Sequence, residues 1–207
     1  MLTAKGAATR QRIIEAASDQ IREYGVAATR LDDVGLRSRT GKSQMFHYFP
    51  GGKEELLVAV AAYEAQRVLD DQQPHLGTLN SWPTWHAWRD AVIDRYRKQG
   101  ERCPLGVLLT EVGRQTPAAR EITRRLLADW QDSLRQGIAT MQAAGAVESG
   151  IDPDRAAAAC VAGIQGGVVI LMATGDIGHL EAALDLFLTH LRGTAVTAAE
   201  GQPAAVR

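Results

Sequence analysis

Between Thr29 and Leu56 the chain reads TRLDDVGLRSRTGKSQMFHYFPGGKEEL, a pattern that few folds can accommodate. It predicts two short helices separated by an abrupt turn, then an aromatic plug and the charged start of a longer helix. Thr29 and Asp32 have capping-box spacing, in which the hydroxyl accepts from an exposed N–H while the carboxylate reaches back. Leu31 and Val34 follow, three apart on one face. Gly41 supplies backbone freedom for the turn, and Lys42 to Tyr48 forms the second helix. Met45 and Phe49, four apart, point inward. The outer face is left with Lys42, Ser43, Gln44, His47 and Tyr48, side chains able to donate to phosphates and to read base edges in a major groove. Thr29, Arg39 and Lys53 are expected to hold the nucleic-acid backbone beside them.

Ahead of this stretch, residues 1–8 read as disordered, and Thr9 caps a helix that runs to Tyr24 and stops at Gly25. Ile13, Ala17, Ile21 and Tyr24 make its apolar stripe, which closes a three-helix core with Val26, Leu31, Val34, Met45 and Phe49. Arg10 and Arg12 read either as solvated charges or as phosphate contacts. A net charge of −1 argues against nucleic acid until its distribution is considered. Residues 1–53 carry nine Lys/Arg against five Asp/Glu, while the remainder carries fourteen against nineteen. A basic head on an acidic body suits a DNA-binding module carried by a domain that does not bind DNA.

The segment GKSQMFHYFPGGKEEL resembles the recognition-helix signature of tetracycline-repressor-type (TetR-type) regulators: a small-polar and basic run, an aromatic-x-x-Phe pair, and a Lys opening a long helix. An amphipathic first helix, the capping-box spacing, the aromatic plug and the Gly-Gly-Lys-Glu-Glu start occur together and in order. Two positions depart from the pattern. Arg39-Thr40 stands where the family usually has a Gly-Val turn, and Phe46 where a Tyr hydroxyl often touches phosphate. The resemblance implies an all-α fold of about nine helices. Residues 1–52 would form a helix-turn-helix head, and residues 53–193 a helical ligand-binding and dimerisation body entered through a connecting helix at 53–71. Residues 194–207 read as a disordered tail.

Pro50-Gly51-Gly52 breaks the chain before the connecting helix. Gly52-Lys53 is no phosphate loop, because the motif's first glycine would fall on His47 and Glu follows Lys53. Residues 72–81 read as a loop and a domain boundary. Trp85, Trp88 and Val92 then share a helical face, and Arg102-Cys103-Pro104 starts a further helix with Leu105, Leu108, Leu109 and Val112 inward. Pro117 opens a long helix carrying Ile122, Leu126, Trp130, Leu134, Ile138 and Met141 at spacings of three and four. Asp152-Pro153 caps another. Residues 156–174 carry no charge and are long enough to cross a bilayer, and Gly163 and Gly167 match a G-x-x-x-G packing motif. Their Ala/Gly content, Gln165 at mid-helix and unadorned flanks favour a buried interface helix instead. The last helix presents Leu180, Leu184, Phe187, Leu188 and Leu191. The Cys103-Pro-Leu-Gly segment, the Trp130 helix and the glycine-bearing helix resemble the effector domains of lincomycin-resistance repressors.

The leading reading is a cytoplasmic, ligand-responsive transcriptional regulator, most simply a homodimeric repressor on a palindromic double-stranded DNA operator. A membrane-associated or scaffolding helical protein, or an activator of the same family, is the alternative. No G-x-S-x-G elbow, His-x-x-x-His pair or dinucleotide fingerprint supports an enzyme, and neither a cofactor nor a metal is expected. Cys103 and Cys160 are too far apart in sequence for a metal pair, and Cys103 reads as an inert thiol rather than a redox sensor. Trp85, Trp88, Leu109, Trp130, Met141, Gln165 and Val169 lie on helices expected to converge on an effector cavity. Gln165 would orient a guest there or bond a neighbouring carbonyl. Gly163, Gly166, Gly167, Leu184, Phe187, Leu188 and Leu191 are expected at the dimer interface.

Overall fold

Within the residues that the computed structural model describes, 2–99 and 116–193, every regular element is helical. They are α1 (Ala4–Ala28), α2 (Leu31–Ser38), α3 (Lys42–Tyr48), α4 (Gly52–Asp70), a 3-10 turn at Leu76–Thr78, α5 (Trp82–Gln99), α6 (Pro117–Ala143), α7 (Pro153–Thr174) and α8 (Gly178–Arg192). Leu109, Cys103 and the helix expected around them lie outside the described residues, as does the tail.

Helix α1 starts earlier than the sequence pattern suggests. Thr3, not Thr9, is its cap, accepting from Gly6 N at 3.1 Å. Thr9 is buried one turn further in, and its hydroxyl donates to Lys5 O. At Gly25 the backbone takes φ 80°, ψ 166°, which ends the regular turn. Ile13, Ala17 and Ile21 are buried as their spacing requires. Tyr24 is not: it lies 60% exposed just before the kink, and Val26 beyond it is the buried residue at this end. The expected Thr29–Asp32 capping box also fails to form. Thr29 is buried, its hydroxyl donates to Gly25 O at 2.8 Å, and Arg30 occupies the cap position of α2 without a side-chain bond.

The turn between α2 and α3 is made by Arg39 rather than Gly41. Arg39 adopts φ 52°, ψ 44°, and its N–H caps the end of α2. Gly41 sits at φ −70°, extended backbone open to any residue. Gly35 is needed for a different reason, since a β-carbon there would stand 2.9 Å from Thr40 O. Helix α2 packs on α1 and against α3, and α1 in turn packs on α4. A buried polar contact joins these last two, with Ser18 donating to Glu64 and Arg67 lying 3.6 Å from the same carboxylate. The other Glu64 oxygen is buried without a partner.

In the body, α6, α7 and α8 pack in sequence, and α4 lies on α6. Pro117 and Pro153 start their helices behind the caps Thr116 and Asp152, as read from sequence. Residues 72–81 are not a solvated linker. Gln72, Leu76 and Leu79 are buried, and Leu79 packs where a β-carbon on Gly137 would stand, 2.6 Å from its own Cβ. Helix α7 is long and apolar enough to cross a membrane, but here 44% of its most apolar window is packed within the chain.

Candidate nucleic-acid interface and effector core

Seven residues in one short helix decide what the head can present. Met45 is buried on α3 and Phe49 just beyond it, so Lys42, Ser43, Gln44 and His47 are turned outward. Tyr48 is half-buried, edge-on to His47 at 5.0 Å, and its hydroxyl stands 3.5 Å from where a Gly6 β-carbon would be. This brings the first turn of α1 beside the outward face of α3. Phe46 is also exposed, next to a strongly exposed Leu36 across the cleft between α2 and α3.

Several cations of the head are already engaged. Arg37 forms paired bonds to Glu23 at 2.6 and 2.9 Å, which raise its pKa further. Arg10 lies 5.1 Å above the Phe49 ring, and Arg12 donates to Ser38 O at 2.9 Å. Lys53 donates to Val26 O at 2.7 Å and keeps two further protons for other acceptors. Arg30, Arg39 and Lys42 form no side-chain hydrogen bond or ion pair among the described residues. The sequence pattern does not single out Arg30; its exposed place immediately ahead of α2 is the signal for it. Thr29 leaves the set, because its burial and its bond to Gly25 O hold it inside.

The body core is dominated by tryptophan. Trp85, Trp88, Trp130 and Met141 are all buried. Trp85 meets Trp88 edge-on at 5.7 Å and Phe187 at 5.8 Å, which ties α5 to α8. Trp88 Nε1 donates to Gln72 Oε1 at 2.9 Å. Gln165 is part-buried, and its Nε2 has no partner. Val169 does not face this core: it is 52% exposed on the outer side of α7. Cys160 is buried, and desolvation pushes its thiol up, so it stays protonated and unreactive. Among the described residues no cluster of three His, Cys, Asp or Glu side chains is placed to hold a metal ion.

The interface expected on the last two helices needs correction. Leu184, Leu188 and Leu191 are fully buried within the chain. Gly167 is likewise consumed internally, because a β-carbon there would stand 2.6 Å from Leu180 Cα. The outward face holds other residues: Gly163, Gly166, Val169 and a 71% exposed Leu186. A groove of about 680 Å³ lies between the start of α7 and the end of α8, with Ala159, Gly163, Leu186 and Phe187 among its apolar lining and Asp152, Arg155 and His190 among its polar lining.

A basic helical head with an outward reading helix, set on a larger helical body with an aromatic core, is the architecture of a helix-turn-helix transcriptional regulator. Residues 13–60 match the family model described as bacterial regulatory proteins, tetR family. Residues 84–187 match the model for the tetracyclin repressor-like C-terminal domain, and the chain belongs to the TetR family. Members of that family are ligand-responsive, DNA-binding transcriptional regulators that act as dimers, and are not enzymes.

An HTH-type transcriptional regulator of Mycobacterium tuberculosis is 27% identical over 189 residues, covering 83% of this chain and 88% of the relative. The transcriptional regulator AcuR of Cereibacter sphaeroides is 26% identical over 164 residues, covering 77% and 74%. Among solved structures, a TetR-family regulator from Cytophaga hutchinsonii superposes with a TM-score of 0.77 at 19% identity, covering 93% of this chain and 98% of its own. A complex of SmeT with triclosan superposes at 0.72 and 22%, covering 97% and 99%; SmeT is described as the repressor of a Stenotrophomonas maltophilia efflux pump. At these identities the structural likeness speaks for the fold.

Proposed function

We propose that the protein is a cytoplasmic homodimeric repressor, released from a palindromic operator by a small, largely apolar effector. Its body would be of the lincomycin-resistance-repressor kind. Residues 1–52 form the DNA-binding head, 53–193 the effector and dimerisation body, with 53–71 connecting them, and 194–207 a tail. It works without a cofactor and without a membrane. The observation that carries this reading is the division of α3, with Met45 buried and Lys42, Ser43, Gln44 and His47 exposed together. Two such helices related by two-fold symmetry read two half-sites of a duplex.

In this reading Lys42, Ser43, Gln44, His47 and Tyr48 face the major groove, while Arg30, Arg39 and Lys53 hold phosphates. Gln44 is the best bidentate partner for an adenine. Gln44→Ala should therefore cost about 1–3 kcal/mol at one base position and leave other positions unchanged. Selection of operator variants by the two proteins checks this; an unaltered base preference would sink the assignment of Gln44.

Arg39 gives a second test. Its left-handed conformation is costly for a residue with a β-carbon, by about 1–2 kcal/mol. Arg39→Gly should raise the unfolding free energy by up to about 1 kcal/mol, since glycine's larger unfolded-state entropy offsets part of that relief. The same change should weaken binding on all sequences alike and reduce the salt slope by about one. A slope unchanged by Arg39→Gly would remove Arg39 from the phosphate contacts.

Release works through geometry. The connecting helix α4 joins the head at the Ser18–Glu64 contact and lies on α6 of the body. A guest that displaces α4 alters the distance between the two reading helices. Only an effector that prefers the displaced geometry can release DNA, because equal affinity for both states shifts nothing.

A further inference from the structure

The three tryptophans at the centre of the body differ in one respect. Trp88 donates to Gln72, whereas the equally buried indole N–H groups of Trp85 and Trp130 have no partner. Gln165 Nε2 is a third buried nitrogen left unmet. An amide can turn end for end and offer its carbonyl instead; an indole N–H can only donate. Buried donors are almost always satisfied, so two unmet ones in a single core call for an acceptor that the described residues do not supply.

Their placement is consistent with one guest. Helices α6 and α7 are joined through residues 144–152 and pack together. Trp130 lies roughly 20 Å before the end of α6 and Gln165 roughly 18 Å after the start of α7, so the two lie at similar distances along their helices from the connection between them. Trp85 reaches α6 at Gly137, where a β-carbon would stand 3.0 Å from its Cζ2. Gly137 lies about 10 Å along the axis from Trp130, close to the length of a two- or three-ring aromatic. The charge inventory limits the guest further. The buried cation of the body, Arg95, is committed to Asp71 and to Arg67 O. Among the described residues no other buried cation is available to balance an anionic ligand, which would be costly to bury alone.

We infer that the effector is an uncharged, flat, two- or three-ring aromatic bearing at least one acceptor oxygen, such as a ketone or lactone carbonyl, received by the indole N–H groups of Trp85 and Trp130. This rests on the effector-cavity reading above and names the chemistry of that site.

A matched pair of probes tests it, 9-fluorenone and fluorene, alike in shape and differing in the carbonyl. The full-length protein is labelled with ¹⁵N at its tryptophan indoles and titrated with each. Fluorenone should bind roughly tenfold tighter than fluorene and move the Trp85 or Trp130 N–H resonance downfield, leaving Trp88 in place. In Trp130→Phe or Trp85→Phe the preference for the ketone should shrink while fluorene still binds. Equal affinity for both probes, without a downfield indole shift, overturns the acceptor inference and leaves the cavity intact. Failure of both probes to bind or to move any indole resonance overturns the cavity and the inference together. The wild-type spectra decide the matter even if a tryptophan variant does not fold.

Discussion

A chain carrying Leu186→Glu together with Val169→Glu is expected to sediment as a monomer and to lose roughly 100- to 10,000-fold in affinity for a two-half-site operator. Both side chains are more than half exposed on the outward face of α7 and α8, so neither change removes a contact from the core. Helix content and melting temperature of the isolated chain should be retained at low protein concentration. In a dimer closed across this face each carboxylate would be buried without a partner and would oppose its symmetry mate. Binding to an isolated half-site should be nearly unaffected, because the head is untouched. A double variant that stayed dimeric and held its operator at wild-type affinity would place the two-fold axis elsewhere.

Leu186 and Val169 are exposed, whereas the residues that look most interfacial in the sequence are buried within the chain. Periodicity announces that a helix has an apolar stripe; it does not say whether the stripe meets the same chain or another copy. Leu184, Leu188 and Leu191 form the stronger stripe of α8, and the intrachain core takes it. What remains outside is a weaker pattern of small residues with one exposed leucine, which no hydrophobicity count would single out. The same limit explains Val169, an apolar residue on an apolar helix whose outward direction only tertiary packing determines.

The head was more legible because its pattern is local. The inward Met45 and Phe49 and the outward polar set follow from a spacing of four in a helix that is Lys42–Tyr48 both by pattern and by coordinates. Caps and turns were legible only in part. Proline-marked starts at Pro117 and Pro153 were read correctly, since proline restricts its own backbone. Thr29 was misassigned because a threonine near a helix start can equally bond the preceding turn, as its hydroxyl does to Gly25 O. Pattern assigns the turn to Gly41 because glycine is the usual left-handed residue, whereas here Arg39 takes that conformation while its N–H caps α2. The unmet indoles could not have been foreseen, since satisfaction of a buried donor depends on partners from distant segments.

Two adjacent glycines in α7 allow the internal and external roles of this helix to be separated. At Gly166 an added β-carbon would meet nothing within 4 Å, so Gly166→Ala should gain helix propensity and stabilise the isolated chain by up to about 1 kcal/mol. At Gly167 the added atom would stand 2.6 Å from Leu180 Cα and 2.9 Å from Leu180 N, backbone that cannot swing aside as a side chain can. Gly167→Val must therefore force α7 and α8 apart, and overpacking of that kind should cost about 3 kcal/mol, lowering the melting temperature by about 6–12 °C. Separating these helices also distorts the groove along which a second copy would pack, so operator binding should fall with stability in Gly167→Val. Thermal unfolding of both variants at low concentration makes the comparison. If Gly167→Val melted like the parent chain, the close approach of α7 to Leu180 would be wrong, and with it the reason for moving this glycine from the dimer interface into the core.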